Sequence, residues 1–203
     1  RKNLRETTES RTMIEKGGTP PLISMKGIEE LLMIAEKGDC LTPAQLERIE
    51  ITLAGIRRLK EYLNRCRQYQ ISLAFYEENL EALEDIRETI AQQIRSGAVD
   101  DHASKALFSI RNDMNKTEEK MKERADAIIR SNKDCMSDHF STYRNGRLCI
   151  PVKKEHKLKI GGSVVDKSAT GNTLFIEPTV IAKYYEELQL LKIDEENEVH
   201  RIL

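Results

Sequence analysis

Seven bases stand out by type and spacing: Arg144, Arg147, Lys153, Lys154, Lys157, Lys159 and Lys167. Between Arg144 and Lys159 the one acid is Glu155, in a chain whose net charge is only −1, so this stretch is a basic patch on an acidic body. Guanidinium and ammonium groups at this density can neutralise phosphates. Each neutralised phosphate adds affinity that depends on salt and not on base sequence. The expected chemistry is therefore binding to a polyanion backbone. No aromatic residue interleaves the lysines; Tyr143 and Phe175 are the nearest, and both are expected to pack a sheet. That pattern argues against base stacking on single strands and for contact with a duplex or structured RNA. The plain alternative is a solvated turn or an edge strand protected by its lysines.

Other chemistry-bearing sets read as ordinary structure. Ser168 to Thr173 is small and hydroxyl-rich, but it lacks the spacing of a nucleotide-binding loop and precedes a strand. Asp134, Asp138 and His139 fit a solvated helix end better than a metal site. Glu186, Glu187, Asp194, Glu195, Glu196 and Glu198 read as an exposed acidic helix face. His102, His156 and His200 are isolated, and chain order supports no Ser/His/Asp or Cys/His set. The residues predict no catalytic group, no metal site and no resident cofactor, so this stretch of chain is not expected to be an enzyme.

The elements that position the bases come from the hydrophobic pattern. With 33% charged and 5% aromatic residues and no Trp, the chain suits long exposed helices. Arg1 to Gly18 reads as a polar helix with Leu4, Met13 and Ile14 as apolar points, and Lys26 to Lys37 as a short amphipathic one. Thr42-Pro43-Ala44-Gln45 is a capping box with proline at the first helical position, opening a helix to about Arg67. Leu80 to Arg95 predicts another. Asp100 or Asp101 can cap a rod of about thirty residues, roughly 45 Å long, which needs a partner helix. Ile181, Tyr184, Leu188, Leu191, Val199 and Ile202 supply one, with a gap at Glu195 and Pro178 placed to start it. Between the two, Asn145-Gly146 is a hairpin signal joining Phe140–Arg144 to Arg147–Lys153. Ser163–Val165 and Thr173–Ile176 complete three or four short strands. Pro151 predicts an edge or a bulge.

The expected fold is mainly α: a helical core with long, antiparallel, coiled-coil-like helices and a small antiparallel β module inserted at their tip. The predicted divisions are 1–139 (helical core and first long helix), 140–178 (β module) and 179–203 (returning helix). Cys40, Cys66, Cys135 and Cys149 form no Cys-x-x-Cys pair, which fits free thiols in a reducing cytoplasm. No apolar run approaches the roughly 20 residues of a membrane helix. The chain starts at Arg1 without Met and stops at Leu203 inside a helical pattern, so both ends are expected to continue in a longer protein.

Two motifs carry a resemblance. Arg144-Asn145-Gly146-Arg147-Leu148-Cys149-Ile150-Pro151-Val152-Lys153 and Asp166–Pro178 resemble signatures of the second bacterial subgroup of MutS proteins. Gly18-Thr19-Pro20-Pro21-Leu22, Ala35-Glu36-Lys37-Gly38 and Leu41-Thr42-Pro43 match the N-terminal helical region of that family. Leu148-Cys149 and Val165-Asp166-Lys167 depart from the usual family residues. The resemblance implies the core (lever) and clamp part of a MutS-like protein, with the module around Arg144–Pro178 as the clamp. It implies a following ATPase domain that would use ATP and Mg, and beyond that a small-MutS-related endonuclease domain. It further implies dimers that bind duplex or branched DNA in repair and in the control of recombination. The other role it implies is that of an interaction scaffold on rRNA or collided ribosomes.

Overall fold

The computed structural model describes residues 2–203; Arg1 and the side chains of Lys2, Asn3 and Leu4 lie outside the described residues. The chain forms two compact units, one running to Ala103 and the other Ser104–Ile202.

In the first unit, α1 (Lys2–Gly17) ends where Gly18 adopts a φ of 79°. α2 (Ile28–Glu36) follows, then α3 (Pro43–Cys66). α3 starts where the sequence predicts. The Thr42 hydroxyl accepts from the Gln45 N–H at 3.3 Å, and the Thr42 N–H donates back to Gln45 Oε1 at 2.8 Å. The predicted Leu80–Arg95 helix is shorter, because Leu83 takes a left-handed conformation (φ 43°) and α4 spans only Glu84–Gln93. The residues beyond it turn back as a two-stranded hairpin, β1 (Ile94–Arg95) and β2 (Ala98–Val99). Ser96 and Gly97 both have positive φ there, the geometry of a tight hairpin turn. Met13, Tyr62, Cys66, Ile71 and Ala74 form one small core, and Ile28, Leu31 and Leu41 another. The Tyr62 hydroxyl donates to the Gly18 carbonyl at 2.7 Å, so the buried ring keeps its polar end satisfied.

In the second unit, α5 (Lys105–Ser131) is capped by Ser104, whose hydroxyl accepts from the Leu107 N–H at 3.0 Å. Asp100 and Asp101, the caps expected from sequence, lie earlier; the Asp100 carboxylate accepts from the His102 N–H. β3 (Thr142–Arg144) and β4 (Arg147–Lys153) form the predicted hairpin, with positive φ at Asn145 and Gly146. β5 (Gly162–Lys167) and β6 (Thr173–Pro178) complete an antiparallel sheet of order β3-β4-β6-β5. α6 (Thr179–Ile202) starts directly after Pro178, which ends β6 and does not open the helix.

α5 and α6 run antiparallel, tied by Ser104–Glu198, Arg111–Glu195 and Thr117–Glu187 in descending register. The gap in the apolar stripe at Glu195 thus has a cause: its carboxylate meets the Arg111 guanidinium at 2.7 Å. Met121, Ala125 and Ile129 of α5, Ile181 of α6, and Leu148, Ile150, Val152 and Ile176 of the sheet share one core. Pro151 lies inside β4, a strand flanked on both sides. Yet β3 pairs only as far as Cys149, and on that side the Pro151 carbonyl accepts from the Ser137 N–H at 3.0 Å. A residue's N and O point to the same side of a strand. The missing donor therefore faces away from β6 and removes no ladder bond.

Candidate nucleic-acid interface

The seven bases occupy three kinds of position. Arg144 and Arg147 flank the hairpin turn and are engaged by the protein itself. Arg144 stacks over the Phe175 ring at 4.1 Å and lies 4.0 Å from the Asp166 carboxylate. Arg147 stacks over Tyr185 at 3.9 Å and reaches both oxygens of the buried Glu177 carboxylate at 3.2 Å. Tyr185 is on α6 and Glu177 on β6, so Arg147 fastens three elements. A phosphate approaching Arg147 would compete with a preformed carboxylate partner.

Lys153 ends β4, and its ammonium donates to the Asp134 carbonyl at 3.1 Å, satisfying an acceptor beyond the end of α5. The other four, Lys154, Lys157, Lys159 and Lys167, are exposed and form no ion pair among the described residues. Lys154 to Lys159 fold into a 3₁₀ turn, where side chains three apart eclipse, so Lys154 and Lys157 share a face. Of the turn and the edge strand that the sequence left open, the structure has the turn. It is held at both ends. The Lys154 N–H donates to the Asn172 carbonyl at 3.0 Å, and Ile160 is buried in the core.

The register brings part of the set together. Lys153 pairs with Thr173 and Lys167 with Leu174, so both flank the start of β6, next to Lys154. Lys159 is at the other end of the turn, in a depression lined by Ile128, Asn132, Gly161 and the start of α6. The lysines therefore form a band from one end of the sheet to the other.

The remaining sequence candidates are absorbed by structure. In the 168–172 turn the Ser168 hydroxyl accepts from the Thr173 N–H at 3.1 Å, and the Gly171 N–H donates to the Ser168 carbonyl at 2.8 Å. Among the described residues no group of His, Cys, Asp and Glu could hold a metal, Asp134, Asp138 and His139 included. The acidic face of α6 is not simply solvated, since Glu187, Glu195 and Glu198 are turned to α5. Burial, then the charge of Glu177, pushes the Cys149 thiol up to about 11, so it is no nucleophile at neutral pH.

Sequence reasoning missed three side chains here. Tyr143, on the edge strand β3, and Phe140, which precedes it, are exposed and do not pack the sheet. Leu158 is 97% exposed in the middle of the lysine turn. A leucine between charged residues reads equally as the inward side of a strand, so only the backbone course could reveal it.

The fold is mainly α with a small antiparallel β module between two long helices, as the sequence predicts. No protein-family model matches the chain. It is 37% identical over 204 residues to the Endonuclease MutS2 of Geobacillus sp. (strain WCH70), covering 98% of this chain and 26% of that protein. It is 34% identical over 205 residues to the Endonuclease MutS2 of Clostridium botulinum (strain Eklund 17B / Type B), covering 99% of this chain and 26% of that protein. The Clostridium perfringens (strain 13 / Type A) Endonuclease MutS2 is 34% identical over 206 residues, covering all of this chain and again 26% of the relative. The chain is thus a MutS2 homologue, spanning about a quarter of the length of the curated relatives it matches. Among the described residues no helix is long and apolar enough to cross a membrane.

Proposed function

We propose that this chain is the non-catalytic core and clamp segment of a MutS-like, DNA-binding ATPase, and that its β module touches the phosphate backbone of duplex or branched DNA. The observation that carries the reading is the band Lys154, Lys157, Lys159 and Lys167: exposed ammonium groups without carboxylate partners, on a module whose strands β4 and β6 share a core with α5 and α6. Lys153 adds charge at the same end. Arg144 and Arg147 contact the backbone only by sharing their present partners, and their main part is to stiffen the module. ATP and Mg belong to an ATPase domain outside these residues, and endonuclease activity to a further one. Dimerisation of the longer protein, a cytoplasmic location and a part in repair or recombination control follow the same reading.

The test is fluorescence anisotropy of the chain with duplex and with branched DNA over a salt series. Four phosphate contacts predict a log–log salt slope of roughly −3 to −4. Replacing Lys154, Lys157, Lys159 and Lys167 by Gln should remove most of the slope and leave only the share of Lys153 and the arginines, while the helical circular dichroism is unchanged, since none of the four holds the fold. No binding at low salt, or a slope indifferent to the four substitutions, overturns the reading. Retention on ribosomes instead of DNA, resistant to nuclease treatment of the DNA, would favour an rRNA-bound scaffold.

A further inference from the structure

The lysine turn carries a feature that phosphate binding does not use. Leu158 is 97% exposed, with exposed lysines on both sides of it. Water gains nothing from a bare isobutyl group, and the side chain contributes nothing to the core that begins two residues later at Ile160. Its backbone is nevertheless fixed, since the turn runs between fully buried Val152 and buried Ile160 and is pinned by the Lys154–Asn172 bond. A positioned apolar side chain with a cation on each flank matches the requirement for a wedge. The cations hold the phosphates on either side of a base step while the apolar group enters the step and unstacks it.

We propose that Leu158 is a wedge that inserts between base pairs of duplex DNA held by Lys157 and Lys159, so that the module prefers easily kinked sequence. The inference rests on the phosphate-binding reading above and adds a specificity element to it. Charge complementarity selects a polyanion as the occupant. The small apolar area selects a base step over a lipid surface, because interfacial anchoring takes a whole apolar helix face and one leucine supplies very little. Pyrimidine–purine steps unstack most easily and stiff A-tracts least, so the wedge discriminates by deformability and not by base-edge contacts.

The experiment compares two short duplexes of equal length, one with central pyrimidine–purine steps and one with an A-tract. Each carries a fluorescent adenine analogue that brightens when unstacked. The intact chain should brighten the flexible duplex and prefer it by about tenfold, the scale of burying one leucine. Leu158→Ala should keep the salt slope and lose both the brightening and the preference; Leu158→Met should keep all three. A 97% exposed position tolerates both changes without unfolding. An alanine variant that matches the wild type in brightening and preference overturns the wedge and leaves phosphate binding intact. Failure of the wild type to bind either duplex overturns the phosphate reading and the wedge together. Leucine-dependent binding to anionic phospholipid vesicles without DNA brightening overturns the wedge in favour of lipid insertion.

Discussion

The two units stabilise themselves differently. The first has two small clusters, with Leu53, Ile94 and Val99 buried outside both of them. Its longer-range ties are largely polar: the Glu9 carboxylate accepts from the Ser72 hydroxyl, and Arg87 bridges Glu50 and Glu84. The second gathers residues from two helices and two strands into a single core, then closes the far end of the helix pair with Ser104, Glu198 and Arg201. A sheet that must present a surface needs a rigid backing. A helical segment with several small cores can shift one part without dissolving another.

The largest test of this contrast is truncation at the shared core. Ile181 is fully buried between α6 and the sheet, and Ile181→Ala should cost about 2–5 kcal/mol in urea unfolding. Leu31→Ala, in the three-residue cluster of the first unit, should sit near the lower end of that range because its surroundings can collapse. Equal costs would remove the distinction. Next in size is Gly162→Ala. A Cβ there would lie 2.2 Å from the Glu177 backbone oxygen, so β5 must separate from β6. About 1–3 kcal/mol should be lost, with amide exchange rising across Gly162–Lys167 and not in the first unit.

The smallest effect is a pH dependence at the far end of the helix pair. Arg201 first, then the Ser104 hydroxyl, lower the Glu198 carboxyl from 4.5 to about 2. A carboxyl held down in the folded state contributes stability above pH 4.5 and loses it as pH falls through about 2. The urea midpoint of the wild type should therefore approach that of Glu198→Gln across this window. A constant difference between them would mean that the tie is not ionic.

Much of this was legible in the residues. Thr42-Pro43-Gln45 and Asn145-Gly146 were read correctly because a cap and a tight turn are local chemistry, complete within four residues. The α5–α6 pairing followed from period alone. The Ser96-Gly97 hairpin was hidden by strands of two residues each, too short for alternation to show. The 3₁₀ stretch Ser72–Asn79 has no hydrophobic period at all. Ser104 could not be chosen over Asp100 or Asp101, since serine and aspartate cap equally well. For the basic module, the sequence supplied the list of cations but not their partners. Arg147 on Glu177 and Tyr185 is a product of register, as is the baring of Leu158.

The cysteines give the contrast between the units a time axis. Cys40 is exposed, Cys66 lies in a first-unit cluster, and Cys135 and Cys149 lie in or beside the second unit's core. Thiolate is the reacting form, so a disulfide reagent should label Cys40 at once and each buried thiol only when its own surroundings open. Cys149, whose thiol burial raises, should stay unlabelled until its surroundings open and solvate it. The order of labelling then works as an internal clock, in which each half of the molecule reports the frequency of its own opening without any added probe.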